Sequence, residues 1–228
     1  MAPETLTTLA ERYAKLQSDV AAAAMAAGRD PSSITTIVVT KFHPAALVRE
    51  LAALGAKDVG ENRHQEAAAK AAETAQLGLT WHFIGQLQSN KASAVLEYAS
   101  VIHSVDRASL VDALARTERD VDVFLQLNLT DDPNRGGVAP GELEFLAEQV
   151  LTVPRLRLRG VMAVAPVDSS ARAAFARVRE HSELLQRLAP EAAALSIGMS
   201  SDYREAILEG ATHLRIGSAI TGNRQVPG

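Results

Sequence analysis

Residues 36–44 read TIVVTKFHP, and this short stretch decides between two α/β folds that the chain could adopt. Its β-branched residues predict a strand over Thr36–Lys41, followed by a turn that reaches Pro44. An open, doubly wound sheet usually carries a glycine-rich phosphate-binding turn after its first strand. The turn here contains no glycine, so the sequence favours a closed barrel over an open sheet.

Outward from this stretch, short β-rich runs alternate with longer segments of helical periodicity. The alternation predicts βαβ units with a parallel sheet, and eight strands predict a single (β/α)8 barrel of the TIM type with an extra N-terminal helix. The predicted strands are Thr36–Lys41, Asp58–Glu61, Thr80–Gly85, Val101–Val105, Asp122–Leu129, Leu158–Val164, Ala194–Gly198 and His213–Ile216. The predicted helices are Leu6–Ala27, Ala45–Leu54, Arg63–Gln76, Lys91–Tyr98, Ala108–Glu118, Gly141–Leu151, Ala171–Leu188 and Asp202–Glu209.

Length and composition fit one domain over residues 1–228, with residues 1–30 forming a helix that packs on the barrel. A formal net charge of -4 gives no basic footprint for nucleic acid or for an anionic membrane. The chain has no cysteine, which excludes disulfides, thiolate catalysis and cysteine metal sites. The N-terminus has no signal-peptide pattern, so we expect a soluble cytoplasmic protein.

Lys41 is the first candidate functional residue, because the active site of such a barrel lies at the C-terminal ends of its strands. Its side chain alternates with those of Ile37 and Val39, so we expect all three to point into the barrel. An amine that is partly desolvated there would be suited to attack a carbonyl group. A surface ion pair is the alternative for Lys41, and Lys91 is the second candidate lysine.

Two loops in the last third of the chain predict a phosphate site. Residues 196–202 and 215–218 follow the seventh and eighth predicted strands and are rich in glycine and serine. Barrels frequently bind phosphate with these two loops and the N-terminus of a short helix. The alternative is simple helix capping by Ser200, Ser201 or Asp202.

Arg215 lies between Leu214 and Ile216, which should pack outward under the helices. The guanidinium then points into the barrel mouth, where it needs an anion or a strong acceptor because an unpaired buried charge is costly. An internal salt bridge to Glu61 or Asp106 is the alternative.

Four further polar or sulfur-containing residues lie in or after predicted strands and could line a pocket for a flat aromatic ring. They are Asn62, His82, Asn128 and Met162. The six histidines form no His-x-x-x-His pair, and no carboxylate cluster accompanies them, so the sequence predicts no metal site.

Six motifs are spread over nearly the whole chain after the first helix. They are VTK (39–41), GEN (60–62) with Gln65 and Glu66, HFIGQLQSNK (82–91), LRGVM (158–162), LSIGMSSD (195–202) and LRIG (214–217) with Gly222. In these motifs the chain resembles the pyridoxal phosphate homeostasis proteins, whose fold is that of the alanine racemase N-terminal domain. The segment HFIGQLQSNK is the most specific part of the match.

The resemblance implies that the cofactor is pyridoxal 5'-phosphate (PLP), held as a Schiff base on Lys41. It implies that Arg215 faces the pyridine nitrogen and that the phosphate contacts Ser200, Gly217 and Ser218. Asn62 and Met162 are implied as pocket residues, and we add His82 as a candidate. It further implies a monomeric carrier in vitamin B6 and amino-acid homeostasis, with no established turnover and with PLP-dependent apoenzymes as partners.

Three positions depart from the family pattern. Arg135, in the loop Asp131–Gly137, stands where lysine is usual, and Thr221 replaces a usual aromatic residue. The turn after Lys41 reads Phe-His-Pro where Thr-Lys-Pro is typical. The first two departures put a role for a second modified lysine in doubt.

The chemistry of the site favours a carrier over an enzyme. A carboxylate opposite the pyridine nitrogen makes the ring a strong electron sink, and an arginine does not. Racemisation also needs an acid or base on each face of the substrate, and Tyr203 is the only tyrosine near the expected mouth. A weak amino-acid racemase and a Schiff-base aldolase acting on a phosphorylated sugar remain the alternative functions.

Overall fold

The computed structural model describes residues 8–130, 132, 135–167 and 169–222. Eight parallel strands form a closed barrel in sequence order, and the last strand pairs with the first. This confirms the predicted barrel. The strands are β1 (Thr35–Val39), β2 (Asp58–Glu61), β3 (Thr80–Phe83), β4 (Val101–Val105), β5 (Val121–Gln126), β6 (Leu156–Met162), β7 (Ala194–Ser196) and β8 (His213–Ile216).

The helices alternate with the strands as predicted, and several are shorter than expected because their ends are 3-10 turns or irregular. A short helix after β8 was not among the predicted helices. Leu6, the predicted start of the first helix, lies outside the described residues. The helices are α1 (Leu9–Ala26), α2 (Ala45–Ala53), α3 (His64–Glu73), α4 (Ala92–Leu96), α5 (Ala108–Leu114), α6 (Leu143–Leu151), α7 (Ala171–Leu188), α8 (Tyr203–Leu208) and α9 (Ser218–Thr221).

The main apolar core lies between the outer face of the barrel and the helices. Val38, Val59, Ile102 and Leu214 point outward into it and are fully buried. The barrel interior holds a much smaller apolar cluster of buried residues, Val101, Phe124 and Met162. Because strand side chains alternate between the two faces, polar residues at the intervening positions face one another inside the barrel.

The N-terminal helix α1 begins with a capping box in which Thr8 and Glu11 each bond to the other's backbone N–H group. Leu16 and Val20 on its inner face are buried in the main apolar core. Arg12 Nε donates to the Ile220 carbonyl at 2.6 Å. The helix therefore packs against the end of the chain that forms α9.

Two glycines permit close contacts that any other residue would block. A Cβ atom on Gly160, at φ +150°, would lie 1.9 Å from the Ala194 carbonyl oxygen on the neighbouring strand. A Cβ atom on Gly85 would lie 2.3 Å from the Asn62 carbonyl oxygen. The first contact lets β6 and β7 pair, and the second brings the loops after β2 and β3 together.

Within the residues that the structure describes, no helix is long and apolar enough to cross a membrane.

Candidate functional site

Lys41 lies at the C-terminal end of the barrel, but outside the strand in which it was predicted. Strand β1 ends at Val39, and Lys41 is an exposed residue of the following turn. The next residue, Phe42, has φ 68°, and Lys41 Nζ lies 5.9 Å from the centre of its ring. The prediction that Lys41 ends the first strand is therefore wrong. Because the backbone leaves the extended conformation before this residue, alternation does not give the direction of its side chain.

A buried polar cluster fixes the backbone immediately before Lys41. Lys70 Nζ donates to the Thr40 carbonyl at 2.9 Å and to Glu61 Oε1 at 2.6 Å. The Thr40 hydroxyl donates to the same Glu61 oxygen at 2.7 Å. Burial raises the pKa of Glu61, whose second oxygen has no hydrogen-bond partner among the described residues. Sequence analysis missed the role of Lys70, because a lysine within a helical pattern is usually solvated.

The loops after β7 and β8 meet as predicted. Ser200 Oγ accepts the N–H of Ala219 in the first turn of α9 at 3.2 Å. A Cβ atom on Gly217 would lie 3.6 Å from Val39 Cβ, so this residue lies beside the end of β1. The N–H groups of Gly217 and Ser218 have no acceptor in the described part of the chain.

The capping alternative accounts for little of this geometry. Asp202 is at the N-cap position of α8, but its side chain makes no capping bond to that helix. Its Oδ1 atom instead accepts the Met199 N–H at 2.6 Å within the preceding loop. The Ser200 hydroxyl bonds to α9 across the site, so it joins the two loops.

Arg215 points into the barrel, which confirms the prediction from alternation. Its side chain is 5% exposed and donates to three neutral oxygens: the Ser196 carbonyl at 2.5 Å, the Ser196 hydroxyl at 2.7 Å and the Ala163 carbonyl at 2.9 Å. Burial lowers its pKa to about 10, so the group stays charged at neutral pH.

The predicted alternative, an ion pair from Arg215 to Glu61 or Asp106, is wrong. Glu61 pairs with Lys70 and Asp106 pairs with Arg107. None of the ion pairs among the described residues involves Arg215. The positive charge is therefore solvated by neutral oxygens and remains available to an electron-rich group in the mouth.

The other pocket candidates lie at different depths. Met162 ends β6 and is buried against Val101 and Phe124. Asn62 follows β2, and its Oδ1 atom is buried with no partner among the described residues. Both positions fit the lining of a pocket at the C-terminal end of the barrel.

His82 lies deeper in the barrel than the mouth residues. Its Nε2 atom is 2.9 Å from Asp58 Oδ1, and its Nδ1 atom is 2.9 Å from His103 Nε2. Asp58 is the first residue of β2, so it lies at the N-terminal side of the barrel. Both ring nitrogens have protein partners, and direct contact of His82 with a ligand stays a prediction.

The family model for the alanine racemase N-terminal domain matches residues 14–225. A pyridoxal phosphate homeostasis protein of Pseudomonas aeruginosa is 45% identical, with 96% of this chain and 97% of that protein covered. The Escherichia coli protein of the same name is 36% identical over 96% of this chain and 98% of its own length.

The chain belongs to the pyridoxal phosphate homeostasis protein family. Among solved structures, PipY of Synechococcus elongatus with PLP bound is 39% identical and has a TM-score of 0.82. The match covers 94% of this chain and 100% of PipY. These relatives confirm the resemblance on which the sequence predictions rest.

Two of the departures from the pyridoxal phosphate homeostasis family pattern have visible structural settings. Phe42 adopts a left-handed conformation that is uncommon for a bulky residue, and its N–H is accepted by Glu66 Oε2 at 3.2 Å. Arg135 is exposed in the loop after β5. Asp131, Pro133 and Asn134 of the predicted loop Asp131–Gly137 lie outside the described residues.

No group of three or more histidine or acidic side chains capable of holding a metal ion occurs among residues 8–222, leaving aside the few positions that are not described.

Proposed function

We propose that this chain binds PLP at the C-terminal mouth of the barrel and serves as a PLP carrier in vitamin B6 homeostasis. The observation that carries the proposal is the similarity to PipY, a relative solved with PLP bound, over 94% of this chain. The geometry of the mouth gives independent support, because its donors match the chemical groups at the two ends of this cofactor.

The fit is best at the phosphate end. The N–H groups of Gly217 and Ser218, which have no acceptor among the described residues, lie with the Ser200 hydroxyl at the N-terminus of α9. Backbone N–H groups arranged in this way are suited to a phosphate dianion. We propose that these three residues bind the phosphate of PLP.

Arg215 and Lys41 would meet the ring and the aldehyde of the cofactor. Pyridoxal phosphate supplies an aldehyde for a lysine amine and an electron-poor ring. We propose that Lys41 bonds to the aldehyde, with Asn62 and Met162 lining the ring. The bond from Lys70 to the Thr40 carbonyl holds the backbone immediately before Lys41.

The exposure of Lys41 supports a role in binding and release. A carrier has to exchange its cargo, and an exposed amine remains accessible to water and to a competing amine. The proposal includes a cytoplasmic monomer that hands PLP to PLP-dependent apoenzymes.

We propose that the chain has no appreciable turnover of its own. Arg215 donates to neutral oxygens, and it would stand opposite the pyridine nitrogen where an enzyme needs a carboxylate to keep that nitrogen protonated. The ring would therefore be a weak electron sink. Tyr203 is 5% exposed on α8, and burial raises its pKa, which does not suit it to move a proton at the mouth. No observation favours the racemase or the aldolase alternative.

The proposal is tested by titrating the purified protein with PLP and following the visible absorbance. We expect saturable binding by the wild type and by Lys91→Ala, because Lys91 is the alternative lysine and lies exposed in the 3-10 turn after β3. Lys41→Ala should lose the visible band. An unchanged band in Lys41→Ala would overturn the lysine assignment, and fast steady-state racemisation of alanine or serine by the wild type would overturn the carrier role.

A further inference from the structure

Four polar side chains inside the barrel form a continuous hydrogen-bonded chain that ends on Arg215. Asp58 Oδ1 lies 2.9 Å from His82 Nε2, and His82 Nδ1 lies 2.9 Å from His103 Nε2. His103 Nδ1 lies 2.8 Å from Ser196 Oγ, which accepts from Arg215 Nη1 at 2.7 Å. The five residues lie on five different strands, so this hydrogen-bonded chain crosses the interior from β2 to β8.

This hydrogen-bonded chain connects the two ends of the barrel. Asp58 begins β2 at the N-terminal side, where its side chain is 25% exposed. His103 and Ser196 are fully buried, and Arg215 faces the mouth above them. A buried polar network of this kind is stable only when each member has its partner, since an unpaired buried group is costly.

With both histidines neutral, the Asp58 end fixes the direction of every hydrogen bond. The carboxylate only accepts, so His82 is protonated on Nε2 and accepts at Nδ1 from His103 Nε2. His103 Nδ1 then accepts from the Ser196 hydroxyl, whose oxygen accepts from Arg215. This single arrangement satisfies all the links with both histidines neutral.

Burial favours that arrangement at His103. It holds the pKa of His103 well below its usual value, and the nearby charge of Arg215 lowers this pKa further. Protonation of His103 would add a positive charge beside Arg215. The chain therefore has one stable hydrogen-bond order.

We propose that Asp58, His82, His103 and Ser196 are positioning residues that orient the Arg215 guanidinium toward the ring nitrogen of the cofactor. This inference rests on the proposed function and adds a role for residues outside the cofactor pocket. It explains why histidines lie at interior positions where apolar side chains could fill the space. It also makes cofactor binding depend on a carboxylate at the opposite end of the barrel.

The decisive pair of variants is His103→Phe and His213→Phe. His103 stacks on Phe124 with ring centres 4.6 Å apart and 10° between the ring planes, so a phenyl ring can keep this contact. The ring of His213 also contacts Phe124, with ring centres 5.0 Å apart. Its Nδ1 bonds to Thr212, and His213 makes no bond to the hydrogen-bonded chain that leads to Arg215. The two variants therefore remove the same chemical group from the same interior, and only one of them interrupts the path to Arg215.

We expect His103→Phe to raise the dissociation constant for PLP by about tenfold, because Ser196 loses the partner that orients its hydroxyl toward the charged guanidinium. We also expect a changed absorption maximum of the bound cofactor, because the donor at its ring nitrogen has moved. His213→Phe should leave both quantities at wild-type values. Equal effects of the two variants on affinity and spectrum would overturn the proposal, since a filling role predicts no difference between them.

A second measurement does not depend on PLP or on a core substitution. Nitrogen-15 NMR of the cofactor-free protein should show His82 and His103 each protonated on Nε2 alone, and Asp58→Ala should give His82 a mixture of tautomers. Mixed tautomers in the wild type would overturn the hydrogen-bond order. Failure of the wild type to bind PLP would instead contradict the proposed function and leave the NMR test of the chain intact.

Discussion

The two charged side chains assigned to the barrel mouth, Arg215 and Lys41, are held in different ways. Arg215 is buried and donates three hydrogen bonds to neutral oxygens, whereas Lys41 is exposed beside Phe42. The orientation of Arg215 could be predicted because β8 is regular through that residue and the rule of alternation holds. The orientation of Lys41 could not, because β1 ends two residues earlier.

The guanidinium of Arg215 is expected to be irreplaceable by an ammonium group. Arg215→Lys keeps the charge but replaces the planar fork with a single nitrogen, which does not reproduce the separate bonds from Nη1 to Ser196 and from Nη2 to Ala163. We expect PLP affinity to fall by about tenfold, which corresponds to about 1.4 kcal/mol. The measurement is an equilibrium titration beside Arg204→Lys, an exposed arginine on α8. Wild-type affinity in Arg215→Lys would show that the fork is not used.

Some contacts that build the site carry no signal in the sequence. Lys70 lies in a helical pattern like that of any solvated lysine, yet it bonds to the Thr40 carbonyl. His82 and His103 are single histidines in separate strands, and their 2.9 Å contact depends on the stagger between β3 and β4. Period-two alternation places both inside the barrel, but it does not give their depth.

At the scale of elements, strand order could be predicted and strand ends could not. The alternation of β-rich and helical segments is a long-range pattern that survives errors at single residues. The ends of strands depend on local contacts between side chains and backbone. At β1 the contacts of Thr40 with Glu61 and Lys70, and the left-handed Phe42, end the strand before Lys41.

The pairing of β6 with β7 is expected to fail without Gly160. Gly160→Ala would place a methyl group 1.9 Å from the Ala194 carbonyl, in a backbone conformation that alanine rarely adopts. We expect a loss of roughly 4 kcal/mol or more of unfolding free energy, measured by chemical denaturation.

Gly141→Ala is the matched control, because a Cβ atom there meets nothing within 4 Å and the backbone does not have positive φ. Its stability should stay close to the wild type. A Gly160→Ala variant as stable as Gly141→Ala would contradict the assigned contact between the two strands.

At the scale of the whole molecule, the barrel has an apolar shell and a polar interior. The shell requires only alternating apolar residues, so the fold can be predicted from the sequence. The interior holds His103 and His213, which both contact Phe124, and His82, which contacts His103. Its hydrogen bonds connect five strands, so no local pattern predicts them.

The buried histidines make the folded state sensitive to acid. The pKa of His213 falls from 6.5 to about 4, chiefly through burial, and that of His103 is also lowered. Between these values the unfolded chain binds more protons than the folded one. Stability is therefore unaffected above pH 6.5, falls as the pH drops below that value, and levels off for His213 below about 4.

Through His213 alone, the free energy of unfolding falls by up to about 3 kcal/mol as the pH drops from 6.5 to 4. His213→Phe should lose less stability over this range than the wild type, as measured by urea denaturation at a series of pH values. An equal slope in both proteins would show that His213 is not held neutral.

The central claim is that PLP bonds to Lys41 at the barrel mouth, and borohydride reduction tests it most directly. The protein is mixed with one equivalent of PLP, reduced, digested and mapped by mass spectrometry. We predict a stable pyridoxyl group on the peptide that contains Lys41. A pyridoxyl group on Lys91 or another lysine, with none on Lys41, would contradict the account.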